Sequence, residues 1–282
     1  MPTRARALGR LRFGPGDPTT AIADGRWWWS AHTIHGPATI AITLAEEGPA
    51  QVWGAGADCL LARANALTGA DDDPSSFRAV HPALVAAVRR RGVPRLGATG
   101  SVFTALVQAV LGQRVTTVEA LRSWAAIVRA FGTPAPGPEN GLMTAPSAER
   151  LAALPYYALH PHGVERGRAS TIIRIARVAG RVDALATGGT LEALPGVGPW
   201  SAAHVRAVAL GDVDAVAVGD LHLPDVVAWV LADERHGDDV RMLELLAPYA
   251  GHRARVIRLL LEAGLGPPRR APHRRLEPNA RR

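Results

Sequence analysis

The sequence predicts an α+β protein: a small antiparallel β domain over residues 1–75, an all-α domain over 76–265 and a basic tail over 266–282. Three observations predict it. Turn signals crowd residues 6–56, at FGPGDP (13–18), ADG (23–25), IHGP (34–37) and EEGP (46–49), with the strand-favouring stretches RWWWSAHTI and ATIAITLA between them. From residue 78 onward apolar residues recur at helical spacing almost to the end. The final PPRRAPHRRLEPNARR is proline- and arginine-rich and reads as a flexible arm.

In the β domain, Trp27, Trp28 and Trp29 form a run that either packs the sheet or offers bases a stacking platform, and packing is the simpler role. Residues 57–69 read as one helix, and ADDDPSS (70–76) as a linker leading into the next. Helical periodicity then marks 78–91, 101–111, 115–131, 147–154, 165–179, 190–195, 199–210, 224–233, 238–247 and 252–263. GTPAPGPENG (132–141) reads as an irregular surface loop.

The 282 residues, 48% of them hydrophobic, suffice for a sizeable core. The single cysteine, Cys59, excludes an internal disulfide and any iron–sulfur cluster held by several thiolates. No apolar run approaches the roughly 20 residues of a membrane helix, and MPTRARALGR lacks a secretory apolar segment, so a soluble, cytoplasmic protein is expected. A formal charge of +7 points to an anionic partner, with nucleic acid the leading candidate. All 32 basic residues are arginine. No lysine amine is therefore available for Schiff-base chemistry. His160 and His162 lack a cysteine or carboxylate at useful spacing, and no metal site is expected.

The stretch LEALPGVGPWS (191–201) carries the chemistry. LEALP reads as a short helix, and Pro199 opens a second. Between them Gly196, Val197 and Gly198 make a tight reversal whose amides, at a helix N-terminus, suit a backbone phosphate. An ordinary helical corner has the same local sequence, so the longer context decides.

LPGVGPWSAAHVRAVALGDVDAVAVGDLHL (194–223) resembles the helix–hairpin–helix DNA glycosylases, nearest to the 3-methyladenine DNA glycosylase II group, which acts on alkylated bases. LVQAVLGQRVT (106–116) and ERGRASTIIRIA (165–176) are similar to that family's earlier helices, so the resemblance spans about 78–263. It implies a monofunctional hydrolase working as a monomer on double-stranded DNA with damaged bases, in the nucleoid. It implies no cofactor beyond a monovalent cation that the hairpin carbonyls could hold.

Residue by residue, the resemblance places the essential carboxylate at Asp220 and the hairpin's DNA-backbone contact at Gly196–Gly198. Trp200 falls where strand-cutting members carry a nucleophilic lysine. Trp200 and His204, one helical turn apart, would line the pocket for the flipped base. Gln113 and Arg114 occupy the intercalating position, where an apolar side chain is the more obvious wedge. The chain departs from the family's pattern at Ala217 and His222, and His222 could join the base pocket. Taken alone, Asp220 also reads as a helix cap.

Overall fold

The computed structural model describes residues 3–45, 48–138 and 141–268. From residue 269 the expected basic tail lies outside the described residues. Helix α1 (Thr3–Gly9), which the periodicity does not signal, precedes a sheet of β1 (Thr20–Ala23), β2 (Arg26–Thr33), β3 (Gly36–Thr43) and β4 (Ala50–Gly54). The strands pair antiparallel in chain order, Trp27 facing Ile42 and Trp29 facing Ile40 across β2 and β3. Strand alternation decides the tryptophan run. Trp27 and Trp29 point into the core with their rings stacked at 6.0 Å, while Trp28 lies on the other face against Trp53 at 5.3 Å. These rings pack the sheet.

Two local expectations need correction. The single helix predicted over 57–69 is α2 (Ala57–Ala62) and α3 (Ala64–Thr68). Arg63 closes the first and opens the second, its amide turning back to the Leu60 carbonyl at 3.1 Å, and left-handed Gly69 ends the second. ADDDPSS is no free linker and starts no helix. Asp72 accepts the Leu96 amide at 2.8 Å and binds the fully buried Arg255 guanidinium at 2.6 and 2.7 Å. The pair straps the segment to the last helix, since an unpaired arginine could not stay there.

Helix α4 (Pro82–Arg91) starts only at Pro82, with His81 as its cap. Then come α5 (Val102–Leu111) and α6 (Thr117–Phe131), the latter opened by a Thr116–Glu119 capping box. The insert expected as irregular loop is bracketed by a short ribbon, β5 (Thr133–Pro134) with β6 (Met143–Thr144). The Thr144 hydroxyl meets that of Ser30 at 2.6 Å, so the ribbon docks on β2. After α7 (Ala148–Ala152) a 3-10 segment (Tyr156–His162) leads into α8 (Arg166–Arg177) and α9 (Ala179–Thr187). The chain closes with α10 (Pro199–Val205), α11 (Leu223–Ala232), α12 (Asp239–Leu246) and α13 (Arg253–Ala263).

The helical part holds two cores. Leu106, Trp124, Ile172 and Ala202 belong to one, built on α5, α6, α8 and α10. Leu84, Val227, Met242 and Leu260 belong to the other, built on α4, α11, α12 and α13. The segment between α10 and α11 crosses from one core to the other, and the candidate site lies along that crossing.

Candidate active site

The hairpin between the 3-10 turn Leu191–Ala193 and α10 is set by one glycine more than the other. Gly196 has φ +91, and a Cβ there would come within 2.5 Å of the Thr171 hydroxyl. Gly198 has ordinary extended backbone, and a Cβ there would meet nothing within 4 Å. Its contribution is bare surface for close approach. Val197 turns its side chain into the core, and its amide closes the turn on the Leu194 carbonyl at 2.9 Å. The expected row of outward amides is thus interrupted at Val197, where the turn's own hydrogen bond consumes the donor.

Gln113 reaches this hairpin. Its amide nitrogen donates to the Gly196 carbonyl and to the Ser201 hydroxyl, both at 2.9 Å. Sequence reasoning placed Gln113 beside Arg114 as a wedge. The structure separates the two, because Gln113 is tied to the hairpin while exposed Arg114 sits at φ +56 at the loop's tip. That left-handed conformation is uncommon for a residue with a Cβ. Buried Arg168 steadies the same loop, donating to the Leu111 carbonyl at 2.8 Å where α5 ends.

Trp200 joins the two cores. One edge of its indole lies over Gly112, where a Cβ would stand 3.1 Å from Cη2. The ring stacks on His204 at 5.5 Å and 15°, as the one-turn spacing requires. At the other edge Nε1 donates to Oδ2 of Asp220 at 2.9 Å. Burial pushes the His204 imidazole below the usual histidine range; the Arg258 guanidinium adds to this and Asp220 opposes it. His204 is therefore a neutral ring at pH 7.

Asp220 is a helix cap as well as a member of this cluster. Its Oδ1 accepts the amides of His222 and Leu223, both at 2.9 Å, at the start of α11. The carboxylate is half-buried, with Trp200 as the hydrogen-bond donor to Oδ2 among the described residues. A carboxylate oxygen has two lone pairs, so Oδ2 retains acceptor capacity. His222 contributes its amide to Asp220, and its side chain is exposed.

No sequence pattern points to Asp239. Both of its oxygens accept the Gly219 amide at 3.0 Å, which fixes left-handed Gly219 (φ +89) immediately before Asp220. The contact joins residues 20 apart in the chain, which no local pattern announces. His160 and His162 turn their rings to Tyr156 and Phe131 respectively, and no cluster of metal-ligating side chains occurs among the described residues. Nor is any described helix long and apolar enough to cross a membrane.

The small sheet on a two-core helical domain is a fold that this chain shares with solved DNA glycosylases. Among sequence relatives, the probable bifunctional transcriptional activator/DNA repair enzyme AlkA of Mycobacterium tuberculosis is 33% identical over 171 residues, 57% of this chain and 34% of that protein. The chain thus spans about a third of the length of the curated relative it matches. No protein-family model matches the sequence. The 3-methyladenine DNA glycosylase from Archaeoglobus fulgidus superposes with a TM-score of 0.73 at 20% identity, over 91% of this chain and 94% of that one. The Clostridium acetobutylicum 8-oxoguanine glycosylase/lyase, in complex with double-stranded DNA containing cytosine opposite 8-oxoG, gives 0.58 at 11% identity, over 89% of each chain.

Proposed function

We propose that this chain is a monofunctional DNA glycosylase that hydrolyses the N-glycosidic bond of alkylated purines, of the 3-methyladenine and 7-methylguanine type. The observation that carries the reading is the Asp220 carboxylate, with Oδ1 locked by two amides and Oδ2 on the Trp200 indole. A base inside the duplex is out of reach, so the nucleotide is extruded first, at a cost of a few kcal/mol. Breaking its glycosidic bond develops positive charge on the sugar. An ionised Asp220, fixed at a helix N-terminus that favours the anion, stabilises that charge and orients the attacking water. A cationic alkylated purine leaves without a strong general acid.

Monofunctional hydrolysis is supported by the chain itself. Trp200 replaces the nucleophilic lysine, and there is no lysine elsewhere. A structural neighbour with the same fold is a glycosylase/lyase, so the reading rests on the missing lysine and not on the fold. The partner is damaged double-stranded DNA, approached through Gly196, Gly198 and scattered arginines, and the protein acts as a monomer. The Pro195 and Gly196 carbonyls each accept one bond, from Arg174 and Gln113, and each keeps a second lone pair that a monovalent cation at the hairpin could use.

A second reading gives the same fold a neutral base such as hypoxanthine, and the exposed His222 beside Asp220 favours it. A non-catalytic lesion sensor is disfavoured, because a carboxylate facing an anionic strand would only weaken binding. Base release from a panel of duplexes, each with a different lesion, tests these readings. Release of 7-methylguanine and 3-methyladenine ahead of neutral lesions is expected, and release of none would overturn the assignment.

A further inference from the structure

Leu221 is 82% exposed, next to Asp220 in the chain. A solvated leucine is ordinary by itself. This one is presented by a clamped loop. On one side Asp239 holds the Gly219 amide through both carboxylate oxygens, and the Asp220 amide reaches the Ala217 carbonyl at 3.3 Å. On the other, Asp220 holds the amides of His222 and Leu223, and the Leu223 side chain is buried in the second helical core. With both flanks fixed, Leu221 stays in solvent as part of a built surface.

Its place is equally specific. Trp200 separates two loops, with Gly112 packed at one edge of the indole and Asp220 bonded at the other. Each loop carries an exposed side chain close in sequence to its contact with that ring: Arg114, beyond the tethered Gln113, and Leu221, beside Asp220 and followed by the exposed polar His222. The side chain at the intercalating position of the family's pattern is therefore a guanidinium, which can grip a phosphate bidentately or lie flat on a base but offers no apolar wedge. The apolar surface needed to enter a stack stands on the opposite side of Trp200.

We propose that Leu221 is the apolar wedge that enters the base stack beside the extruded nucleotide, with Arg114 holding the backbone on the other side of Trp200. This rests on the glycosylase reading of the site. Apolar side chains inserted between base steps are an established means of holding a duplex open. Placing one next to the carboxylate would couple unstacking directly to the delivery of the sugar.

The test is single-turnover release of 7-methylguanine from a duplex and from the same strand alone, by the wild type and by Leu221→Ala, Leu221→Met and Arg114→Ala. Extrusion costs a few kcal/mol only where the base is stacked and paired, so Leu221→Ala should slow duplex release by about tenfold or more and leave single-strand release unchanged. Leu221→Met should recover most of the rate, and Arg114→Ala should weaken duplex affinity in a salt-dependent way. Equal losses on both substrates, or no loss on either, would overturn the wedge. A second readout is independent of chemistry: 2-aminopurine placed beside the lesion brightens when its neighbour is unstacked. Wild-type binding should raise this signal and Leu221→Ala should not. Equal rises would overturn the proposal even if the enzyme released no base, a failure that would count against the reading of the site instead.

Discussion

The Trp200 indole donates its N–H to Oδ2 of Asp220 at 2.9 Å, across 20 residues and between two hydrophobic cores. Trp200 packs on the first core, and Asp220 caps the helix that anchors the second. The carboxylate is thus positioned by the docking of the cores, and its orientation is paid for before any DNA arrives. Such preorganisation is what electrostatic stabilisation of a developing charge requires.

Asp220→Asn should lower single-turnover base release by on the order of 10²–10³ while retaining damaged-duplex binding. The asparagine carbonyl can still accept the His222 and Leu223 amides, so the helix start survives. Asp220→Ala is a poorer probe, because it also removes a cap worth about 1 kcal/mol. Wild-type rates from the asparagine variant would exclude Asp220 as the catalytic group.

Strand cleavage should be absent. With Trp200 at the lysine position, the product is an abasic strand that stays intact until alkali is added, and borohydride traps no covalent adduct. Gel analysis of a labelled duplex distinguishes the outcomes, and abundant trapping would point to another amine.

His204 sets a pH dependence of stability. Its folded-state pKa is lowered, first by burial and then by Arg258, with Asp220 acting in the opposite sense. Below about pH 6.5 the unfolded chain takes up a proton that the half-buried ring resists, so stability is full above that value and declines as the pH falls. Thermal unfolding should therefore show Tm dropping between about pH 7.5 and about pH 5, and His204→Phe, which keeps the stack on Trp200, should reduce the drop. Identical pH profiles for the two proteins would exclude His204 as a source of it.

Binding to duplex should be salt-dependent, with log affinity falling linearly against log salt at about −0.9 per phosphate contacted. Removing the arginine-rich residues 267–282 should flatten the slope if that arm touches DNA. Fluorescence anisotropy titrations at several salt concentrations measure both slopes, and equal slopes would remove the arm from the interface.

His222 separates the two lesion classes. A neutral purine departs more readily when protonated, and an imidazole is a side chain able to act as that general acid. If it does, His222→Gly should lower hypoxanthine release by about 10²-fold and leave 7-methylguanine release nearly unchanged. Equal losses on the two lesions would mark a role in holding the α11 start, and no loss on either would leave the exposed ring outside the reaction.

Some of this protein was determined by the sequence alone. The absence of lysine leaves no lysine side-chain amine among these 282 residues, whatever the fold. Strand alternation sends Trp27 and Trp29 to one face and Trp28 to the other, and the four-residue spacing of Trp200 and His204 is enough to stack them. These follow from local geometry, where neighbours in space are neighbours in the chain. Tertiary structure decided the rest. It consumed the Val197 amide, bound Gln113 to the hairpin, tied Asp72 to Arg255 across 183 residues, and clamped Gly219 to Asp239. It also made Asp220 cap and carboxylate at once, two readings that the sequence set against each other. Each of these contacts joins elements whose separation depends on how the cores pack, and backbone periodicity carries no record of that distance.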